Sequence, residues 1–517
     1  MSKYIRKIAI LCVLFMAQYA FAQGKYWIMF TDKDMEHYRY DENISERTIR
    51  NRINQNLPLW QYSDIPVRGA YVDSLRKMGV EAQARSKWLN AVSATLTKEQ
   101  IESVSTLPYV DRLEPIVERL LLASVDMELN TKKYSQTLKQ MNAAAFVKAG
   151  LSGMNVSVGV IDAGFFNAHN EPGLKHLFME DRIRAQKDFV TPNRTDLIES
   201  LITTSDGHGQ RVLDYLAGYN PSDHFQSGLG VNAFFYLART ENGDKEHRIE
   251  EDNWIMAMEW MDSLGVQLVN TSLGYAQSMD DPEENYKKEE MNGQTARITR
   301  AAQMAVDEKG MFMVVSAGNE GGNANWRIIS APADAQGVLS IGATASDQMT
   351  RIWYSSVGPD FLPYLKPNVS AFSPNGTSFS APAVTGFVAC LLQKDSTLTP
   401  RKLMSIMEKS AHLYPYGNNF IGYGVPQADR ALALLADSAA TFGNNQIVAD
   451  RDRVELVFRE ADKKDKAVVF HKRNARDVIR QDVVPIRKRR LIVERQPGEK
   501  ATTVNVGLKT IEVIWED

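Results

Sequence analysis

Val156-Ser-Val-Gly-Val-Ile-Asp162 is a mostly apolar stretch that ends in a carboxylate. An apolar run of this length, bounded by turn residues, is typical of a strand buried on both faces of a sheet. A buried strand has little use for an ionised side chain unless a partner meets it, because an unpaired buried charge is costly. The simpler interpretation is a surface carboxylate at a strand end. The apolar run instead favours Asp162 as a functional residue.

Strand-like and helix-like stretches alternate around this strand, from about residue 130 to residue 437. The alternation predicts a parallel sheet covered by helices on both faces, which is a three-layer α/β domain. Further strands are predicted at 233–239, 267–273, 311–317 and 338–343. Helices are predicted at 252–264, 295–309, 378–393, 400–412 and 427–436.

Smaller units are predicted on either side of this domain. Residues 23 to about 125 have the order of a split βαβ module, with strands at 25–30, 88–95 and 109–115 and helices at 72–79 and 97–107. Thr97, followed by Gln100, is a capping-box signal for the second of these helices. Residues 440–517 contain short β-prone runs without helical spacing, which predicts a small all-β domain.

The first 22 residues have the pattern of a secretory signal peptide. Lys3, Arg6 and Lys7 precede an apolar run, and Ala20-Phe-Ala22 provides the small residues that a signal peptidase recognises. Cleavage is predicted after Ala22, which implies a secreted, periplasmic or cell-surface location. The alternative is a membrane anchor, but the apolar run is short for a membrane span. No transmembrane anchor is therefore expected.

Composition adds two expectations. The formal net charge is −3, and nucleic-acid-binding proteins usually carry a basic excess, so no nucleic-acid partner is expected. The two cysteines are Cys12, which leaves with the signal peptide, and Cys390. Cys390 lies in an apolar run, which favours a buried, inert thiol over a reactive one.

A serine lies where a predicted helix begins. Ser378 is part of Asn375-Gly-Thr-Ser-Phe-Ser-Ala-Pro382, and the apolar run after it places it at a helix start. The N–H groups and the positive dipole end of a helix favour an anionic intermediate there. For an isolated serine, a helix N-cap is the simpler interpretation. Ser380 is available for nearby capping, which leaves Ser378 as a candidate nucleophile.

Two more polar residues complete the set that a serine hydrolase needs. His208 lies between two glycines, which indicates exposed backbone geometry more than core packing, and a histidine suits proton transfer near neutral pH. Asn319 follows a predicted strand, and its amide can donate to an oxyanion. A loop histidine and a turn asparagine are the simpler interpretations of each residue alone. Together with the carboxylate and the serine, they supply all the groups of nucleophilic catalysis.

The chain order of these residues, Asp162, His208 and Ser378, is that of subtilisin and not that of chymotrypsin or the α/β-hydrolases. Over about residues 130–437 the chain resembles the subtilisin-like (S8, subtilase) serine peptidases. The segments that carry the resemblance are Val160-Ile-Asp-Ala-Gly164, Gly207-His-Gly209 and Gly376-Thr-Ser-Phe-Ser-Ala-Pro382. The resemblance implies a secreted serine endopeptidase with these three residues as its triad and Asn319 as an oxyanion donor.

The resemblance also implies where a polypeptide substrate binds. Asn270-Thr-Ser-Leu-Gly274 is similar to the strand that pairs with the substrate backbone and walls the primary specificity pocket, and Ser316-Ala-Gly318 to the opposite wall. The substrate-binding residues implied in this way are Ser272, Leu273, Gly274, Ser316, Ala317 and Gly318. Residues 25–115 resemble, more weakly, the propeptide of the family, which acts as an intramolecular inhibitor and is removed after folding.

The chain departs from the family pattern in three places. After His208-Gly209 the family usually has threonine, where this chain has Gln210 and Arg211. The connections 167–204 and 275–294 are longer than the core family needs, and they are expected to shape the cleft.

Calcium is common among similar proteins, and the acidic stretch 279–284 could offer oxygen ligands. A solvated loop is the simpler interpretation, so no metal site is predicted.

Two other functions are alternatives to a peptidase. The first is a catalytically silent binding protein with the same fold, which reaction with a fluorophosphonate probe would distinguish from an enzyme. The second is an esterase of the α/β-hydrolase kind. That class requires Gly-x-Ser-x-Gly and the order Ser, Asp, His, and this chain has neither.

Overall fold

The computed structural model describes residues 24–39, 44–116, 134–201, 203–243, 248–277, 285–461 and 464–516. The predicted signal peptide and the acidic stretch 279–284 lie outside these residues. The described residues form an N-terminal α+β module, a central α/β domain and a C-terminal β domain. The predicted fold class is therefore confirmed.

The N-terminal module, in its described residues, is a four-stranded antiparallel sheet with helices on one face. Its elements are β1 (Gly24–Phe30), α1 (Glu46–Asn54), α2 (Gly69–Lys77), β2 (Ala84–Ser86), β3 (Ala91–Leu96), α3 (Lys98–Ser105) and β4 (Val110–Ile116). The strand order β2-β3-β1-β4 is that of a split βαβ module. Thr97 and Gln100 form the predicted capping box of α3. The strand predicted at 88–95 begins later, because residues 87–90 form the turn between β2 and β3.

Helix α1 lies outside the predicted elements, and its composition explains why. Ile49 and Ile53 are the apolar residues of the helix, yet Ile53 is exposed. The buried side chains are Thr48 and Arg52. A helix that buries polar side chains gives no apolar periodicity to detect. Its local signal is Ser45, whose hydroxyl accepts a hydrogen bond from Thr48 N at 3.1 Å as an N-cap.

The central domain contains one parallel sheet, with the described strands in the order β13-β12-β11-β10-β5-β9-β6. Its strands, with the short hairpin β7–β8, are β5 (Ser157–Asp162), β6 (Ile183–Asp188), β7 (Tyr219–Asn220), β8 (Phe225–Gln226), β9 (Phe234–Arg239), β10 (Leu268–Thr271), β11 (Phe312–Ser316), β12 (Leu339–Thr344) and β13 (Val369–Phe372). Its helices are α4 (Gln136–Gln140), α5 (Ala144–Lys148), α6 (Lys175–Met179), α7 (His208–Ala217), α8 (Ile249–Ser263), α9 (Arg297–Asp307), α10 (Thr377–Lys394), α11 (Pro400–Ser410) and α12 (Ala428–Ala436).

Strand β5 lies in the middle of this sheet, between β10 and β9, and all of its residues are buried. Helices α7 and α10 cover one face of the sheet, and α8 and α9 cover the other. Because the strands are parallel, their carboxyl ends meet at one edge. Asp162, Thr271 and Ser316 therefore come to the same edge from three separate parts of the chain.

The described residues of the C-terminal domain form a five-stranded sheet and a separate antiparallel pair around a small apolar core. Its strands are β14 (Asn445–Ala449), β15 (Arg453–Val457), β16 (Lys466–Lys472), β17 (Val478–Pro485), β18 (Arg490–Glu494), β19 (Ala501–Val506) and β20 (Lys509–Trp515). The order β14-β20-β19-β16-β17 forms one sheet, and β15 pairs with β18 in another. The domain docks on the central domain through Thr510 Oγ1, which donates to His412 O at 2.9 Å, and Arg430 Nη2, which donates to Leu508 O at 2.8 Å.

The long connection 167–204 contributes regular structure as well as loops. It contains α6 and β6, and β6 pairs with β9 to form an edge of the central sheet. The expectation of a cleft-shaping loop therefore misses an edge strand, because the β6 sequence Ile-Arg-Ala-Gln-Lys-Asp is mostly polar and shows neither an apolar run nor a regular alternation of burial. Within the described residues, no helix combines the length and the apolar character that a membrane span requires.

The buried ammonium of Lys366 makes the stability of the central domain depend on pH. Lys366 Nζ donates to Val338 O at 2.7 Å and to Asn368 Oδ1 at 3.1 Å, just before β13. Burial lowers the pKa of Lys366 from 10.5 to about 7. Between these two values the folded protein binds fewer protons than the unfolded chain, so the penalty for burying the charge falls as the pH rises.

We expect the stability of the wild type relative to Lys366→Met to increase with pH from about 7 upwards, by at most ~1.4 kcal/mol per pH unit. Denaturant unfolding of both proteins at neutral pH and at two higher pH values measures the effect. A constant difference in the free energy of unfolding across that range would contradict the assignment.

Candidate active site

Asp162 and His208 are joined directly at the carboxyl edge of the central sheet. Asp162 is fully buried at the end of β5, and its Oδ1 lies 2.7 Å from His208 Nδ1. The same oxygen accepts a hydrogen bond from Ala163 N at 2.8 Å. Since an ionised carboxylate can only accept, His208 Nδ1 carries the hydrogen. The other ring nitrogen, Nε2, is left with a lone pair that can take a proton.

A glycine allows the histidine helix to approach the aspartate so closely. His208 is the first residue of α7, and Gly209 packs against the end of β5. A Cβ at position 209 would lie 2.4 Å from Gly164 O and 2.9 Å from Asp162 Cβ, so no larger residue fits there. Gly209 is buried, so the interpretation of the flanking glycines as exposed backbone is wrong for this one.

Ser378 is the second residue of α10, and it does not cap the helix. Gly376 is the N-cap residue, with a φ of 122°, and no side chain caps this end. The Ser378 hydroxyl donates to Ser272 O at 3.2 Å, and the Ser272 hydroxyl donates in return to Ser378 O at 2.9 Å. Ser380 has no capping role either, since its hydroxyl donates to the carbonyl oxygen of Thr377. The Ser378 hydroxyl is therefore available for another function.

Asn319 is oriented by the residue before the serine. Its Oδ1 accepts hydrogen bonds from Thr377 N at 2.8 Å and Thr377 Oγ1 at 3.1 Å. Thr377 Oγ1 in turn accepts from Gly318 N at 3.1 Å. Because the oxygen of the amide is held by Thr377, its Nδ2 group is the free donor. The donor lies beside Gly376, where a Cβ would be 3.4 Å from Nδ2.

The two segments expected to bind substrate lie side by side at the ends of β10 and β11. The Ser316 hydroxyl donates to Leu273 O at 3.4 Å, which connects the segment 272–274 to the segment 316–318. Leu273 and Ala317 are buried, whereas Gly274 is exposed. Both segments are therefore in place at the edge that holds Asp162.

Ser330 lies between these two segments, and the sequence analysis missed it. A Cβ on Gly274 would lie 2.1 Å from Ser330 Oγ, and a Cβ on Gly318 would lie 3.1 Å from the same atom. Ser330 is 4% exposed, and its hydroxyl has no hydrogen-bond partner among the described residues. The serine therefore fills the space at which the two glycines face each other. Nothing in its local sequence marks it, because Ser330 lies twelve residues after Gly318 in the long β11–β12 connection, and only the folded connection brings it back to the site.

An aromatic residue connects the serine helix to the histidine helix. Phe379, which follows Ser378, has its ring centroid 5.4 Å from that of His208 and 5.2 Å from that of Tyr215. The Arg211 guanidinium lies 5.2 Å from the centroid of the Phe379 ring. Arg211, one of the departures from the family pattern, therefore packs next to the site without displacing the imidazole.

A buried ionic network, which no sequence pattern indicated, lies next to the turn that follows Asp162. Arg239, at the end of β9, donates from Nε to Ala163 O at 3.0 Å. Its Nη1 lies 3.2 Å from the carboxylate of Asp188, and its Nε lies 3.5 Å from that of Asp206. Arg194 also lies 3.5 Å from Asp206. These ion pairs connect the turn after β5 to the loop that leads into His208.

Comparison with known protein families identifies the central domain. Residues 153–424 match the model described as the Subtilase family, peptidase S8. The chain belongs to the subtilase family. Residues 25–143 match a second model, the peptidase S8 propeptide domain of Bacteroidota, so the N-terminal module of this subtilase is a propeptide domain. The protein is accordingly a serine peptidase, a hydrolase that acts on peptide bonds.

Individual relatives agree with this assignment. Subtilisin NAT of Bacillus subtilis subsp. natto is 27% identical over 362 residues, which cover 67% of this chain and 82% of that protein. Subtilisin DY of Bacillus licheniformis is 28% identical over 276 residues, covering 51% of this chain and 85% of the relative. The crystal structure of the epidermin leader peptide processing serine protease of Staphylococcus aureus superposes with a TM-score of 0.56 at 14% identity, covering 79% of this chain and 99% of the other. This last match supports the fold alone.

Cys390 takes no part in this site. Cys390 is fully buried on α10, and burial raises the pKa of its thiol. Within the described residues, no group of three or more His, Cys, Asp or Glu side chains is arranged to hold a metal ion. The stretch 279–284, to which calcium was assigned as an alternative, lies outside the described residues.

Thr377→Val should lower kcat of the subtilase by about tenfold with little change in KM. The substitution removes the hydroxyl that helps to hold the Asn319 amide and the Gly318 N–H, so Asn319, the expected oxyanion donor, loses part of its orientation. Steady-state kinetics on a peptide substrate test this, with Thr377→Ser as the control that keeps the hydroxyl. A wild-type kcat in Thr377→Val would show that the hydroxyl does not position the donor.

Proposed function

We propose that this subtilase is a secreted endopeptidase that uses Asp162, His208 and Ser378 as a catalytic triad. The observation that carries the proposal is the 2.7 Å contact between the buried Asp162 carboxylate and His208 Nδ1, which leaves Nε2 as a base. The His208 ring lies 5.4 Å, between ring centroids, from Phe379, which directly follows Ser378 at the start of a helix that no side chain caps. Carboxylate, imidazole and hydroxyl are the three groups that acyl transfer by a serine nucleophile requires.

Attack on a peptide bond begins with a rotation of the Ser378 hydroxyl. In the described residues this hydroxyl donates to Ser272 O, and no hydrogen bond joins it to His208. A bound substrate carbonyl brings the hydroxyl round to His208 Nε2, which takes the proton as Ser378 Oγ bonds to the carbonyl carbon. Hydrogen bonds of this kind commonly form only once the substrate is bound. Asp162 stabilises the imidazolium that results.

The negative charge of the tetrahedral intermediate needs donors that are already in position. Asn319 Nδ2 is free to donate, because Thr377 holds the oxygen of the same amide. The Ser378 N–H, in the first turn of α10, is the second donor, and the helix dipole adds to its effect. His208 then gives its proton to the leaving amine. An acyl-enzyme on Ser378 remains, and water hydrolyses it by the same steps in reverse order.

The surroundings of Ser378 favour cleavage within a chain rather than at its end. On one side lie the segments Ser272–Gly274 and Ser316–Gly318, which we propose bind the substrate backbone and the side chain before the scissile bond. On the other side, Phe379 and Tyr215 lie next to His208, where the leaving amine is protonated. We propose that a polypeptide substrate extends in both directions from the scissile bond.

The propeptide domain is proposed to inhibit the enzyme until it is removed. Its turn between β2 and β3 packs on α8, where the Glu259 carboxylate accepts hydrogen bonds from Ser86 Oγ, Lys87 N and Trp88 N at 2.6 to 3.1 Å. Trp27 Nε1 donates to Asp252 on the same helix at 2.6 Å. Strand β4 ends at Ile116, and the chain then continues through residues 117–133 to the peptidase domain. We place the maturation cut in that connection.

We propose a division of the chain into four parts. It has a signal peptide at 1–22, an inhibitory propeptide at 23–125, a peptidase domain at 130–437 and a C-terminal β-rich domain at 440–517. A signal peptide would direct the zymogen out of the cytoplasm, and the proposed cut would then release its activity there.

Ser378→Ala should abolish both peptide hydrolysis and covalent labelling by a fluorophosphonate probe, because both require the serine oxygen. Mass spectrometry of the labelled wild type should place the adduct on Ser378. Ser380→Ala is the matched control, and it should keep labelling since its hydroxyl bonds within the helix. Absence of labelling in the matured wild type would instead support a silent binding protein.

Asn319→Ala should lower kcat by roughly 10²- to 10³-fold with a much smaller effect on KM, because the amide acts on the transition state rather than on the bound substrate. Asn323→Ala is the matched control, since Asn323 donates to Glu320 in the same loop at 2.8 Å. The two variants compared by steady-state kinetics separate loss of the donor from disturbance of the loop. Equal loss of kcat in both would assign the effect to the loop.

A further inference from the structure

The C-terminal β domain carries a cluster of cations that the peptidase site does not use. Arg487-Lys-Arg-Arg490, here named the basic turn, leads into β18, and all four of its residues are exposed. Residues 451–517 hold 17 Lys or Arg against 12 Asp or Glu, whereas the whole chain holds 60 against 63. The C-terminal domain is therefore basic, while the rest of the chain is acidic.

The conformation of the basic turn does not favour the residues that occupy it. Arg490 N donates to Arg487 O at 2.9 Å, and Arg487 N donates to Arg490 O at 3.1 Å, which closes a two-residue loop. The two loop residues, Lys488 and Arg489, have φ values of 50° and 65°, in the left-handed region. Such loops prefer Asn-Gly, because most side chains are disfavoured at positive φ. The geometry of the turn therefore does not explain why two cations occupy it.

The charges of the basic turn are mostly without a counter-charge. Arg490 pairs with Glu455 of β15 at 3.1 Å, and both side chains are exposed. Within the part of the chain that the structure describes, no carboxylate forms an ion pair with Arg487, Lys488 or Arg489. Adjacent like charges repel one another, so an anionic partner would stabilise this arrangement.

Two neighbouring loops add to the positive charge. Phe458 N donates to Arg489 O at 2.9 Å, and Ile486 N donates to Asp465 O at 3.2 Å, so both loops lie beside the basic turn. The loops contribute three cations and two carboxylates, which are Arg459, Lys464 and Lys466 against Glu460 and Asp465. This end of the domain therefore keeps an excess of positive charge.

Two exposed apolar residues lie on the sheet face that begins at the basic turn. In the β15–β18 pair, Val457 lies opposite Arg490, and Ile492 lies opposite Glu455. Val457 is 50% exposed and Ile492 is 48% exposed, whereas the residues between them along each strand face the core. Since paired residues share a face, Val457 and Ile492 are diagonal neighbours, here named the apolar pair. Apolar and cationic groups thus lie together at one end of the sheet.

We propose that the basic turn and the apolar pair bind the subtilase to a lipid bilayer with anionic phosphate headgroups. Exposed cations attract such headgroups, and an apolar side chain beside them can enter the interface. Arginine suits phosphate in particular, because its planar guanidinium donates two parallel hydrogen bonds. The apolar pair favours a bilayer over a soluble polyanion, which would gain nothing from it. The inference goes beyond the proposed peptidase function and does not depend on the catalytic residues.

The carboxylates on the same sheet face do not oppose an anionic surface. Glu455 is paired with Arg490 at 3.1 Å, and Glu494 is paired with Arg453 at 3.7 Å. The outer face of β15 and β18 therefore carries its negative charges already neutralised, and the excess charge at its end is that of the basic turn.

Vesicle binding tests the proposal without peptidase activity. The full chain carrying Ser378→Ala is sedimented with vesicles of phosphatidylcholine alone, or of phosphatidylcholine with about one third phosphatidylglycerol. We expect at least about tenfold stronger binding to the anionic vesicles, and weaker binding as salt is added, because salt screens exposed charges. Equal binding to both kinds of vesicle would overturn the proposal. Binding to dextran sulfate but not to the anionic vesicles would also overturn it, in favour of a soluble polyanion.

The basic turn can be altered without harm to the fold. Lys488→Asn combined with Arg489→Gly removes two charges and introduces the residues that the turn prefers, so Tm should not fall. Binding to the anionic vesicles should weaken at least about tenfold. Arg473→Gln combined with Arg480→Gln is the matched control, because it removes two exposed cations of the same domain outside the turn. Equal weakening by both double variants would assign binding to net charge and refute the role of the turn.

The apolar pair makes a separate contribution that salt does not screen. Ile492→Gln should weaken binding several-fold and leave its salt dependence unchanged, whereas Ile479→Gln, at a 45% exposed position on β17, should have no effect. Unchanged binding in Ile492→Gln would refute contact of this face with the bilayer. If the chain with its serine intact hydrolyses no peptide, the proposed function fails, while vesicle binding still decides this inference.

Discussion

The parallel pairing of β5 with its neighbours is the constraint on which the active site depends. Ile161 lies opposite Thr271 of β10, and Asp162 lies opposite Arg239 of β9. A shift of one residue in this register would turn the Asp162 side chain to the other face of the sheet, because side chains alternate along a strand. The buried apolar residues of β5 prevent such a shift. The position of the carboxylate under His208 is therefore set by the core of the domain rather than by a loop.

The candidate catalytic residues could be predicted from the sequence because each is marked by its neighbours. Asp162 ends an apolar run, Ser378 begins one, and His208 precedes the glycine that its close packing requires. The residues that support them could not be predicted in this way. Ser330 lies in the connection between β11 and β12, and Arg239 lies at the end of β9, and only the folded domain brings them to the site. The neighbouring sequence is enough to indicate a candidate catalytic residue. A residue that positions it is recognised only by its contact with a distant segment of the chain.

The fold was predictable to the same extent and for the same reason. Many of the longer strands and helices that face an apolar core were predicted, with ends displaced by a few residues. The elements that were not predicted include the short helices α4, α5 and α6, the sheet-edge strands β6 and β13, and α1, which buries Thr48 and Arg52. Periodicity of apolar residues reports contact with an apolar core. Helix α1 packs on the polar ends of α8 and α9, so its sequence has no apolar periodicity that would reveal it.

The contact between the propeptide domain and the peptidase domain is largely polar at α1, which suits a domain whose removal we propose. A buried ion pair adds little net stability compared with an apolar contact of the same size, but it strongly disfavours any arrangement that leaves one partner unpaired. Arg52 and Asp64 of the propeptide domain form such a buried cluster with Lys309 and Asp262 of the peptidase domain. The cluster therefore makes the docking of the two domains specific without adding much to its strength. Once the propeptide has dissociated, Lys309 and Asp262 become hydrated charges on the mature enzyme. An apolar contact of equal area would leave an exposed apolar patch on the mature enzyme.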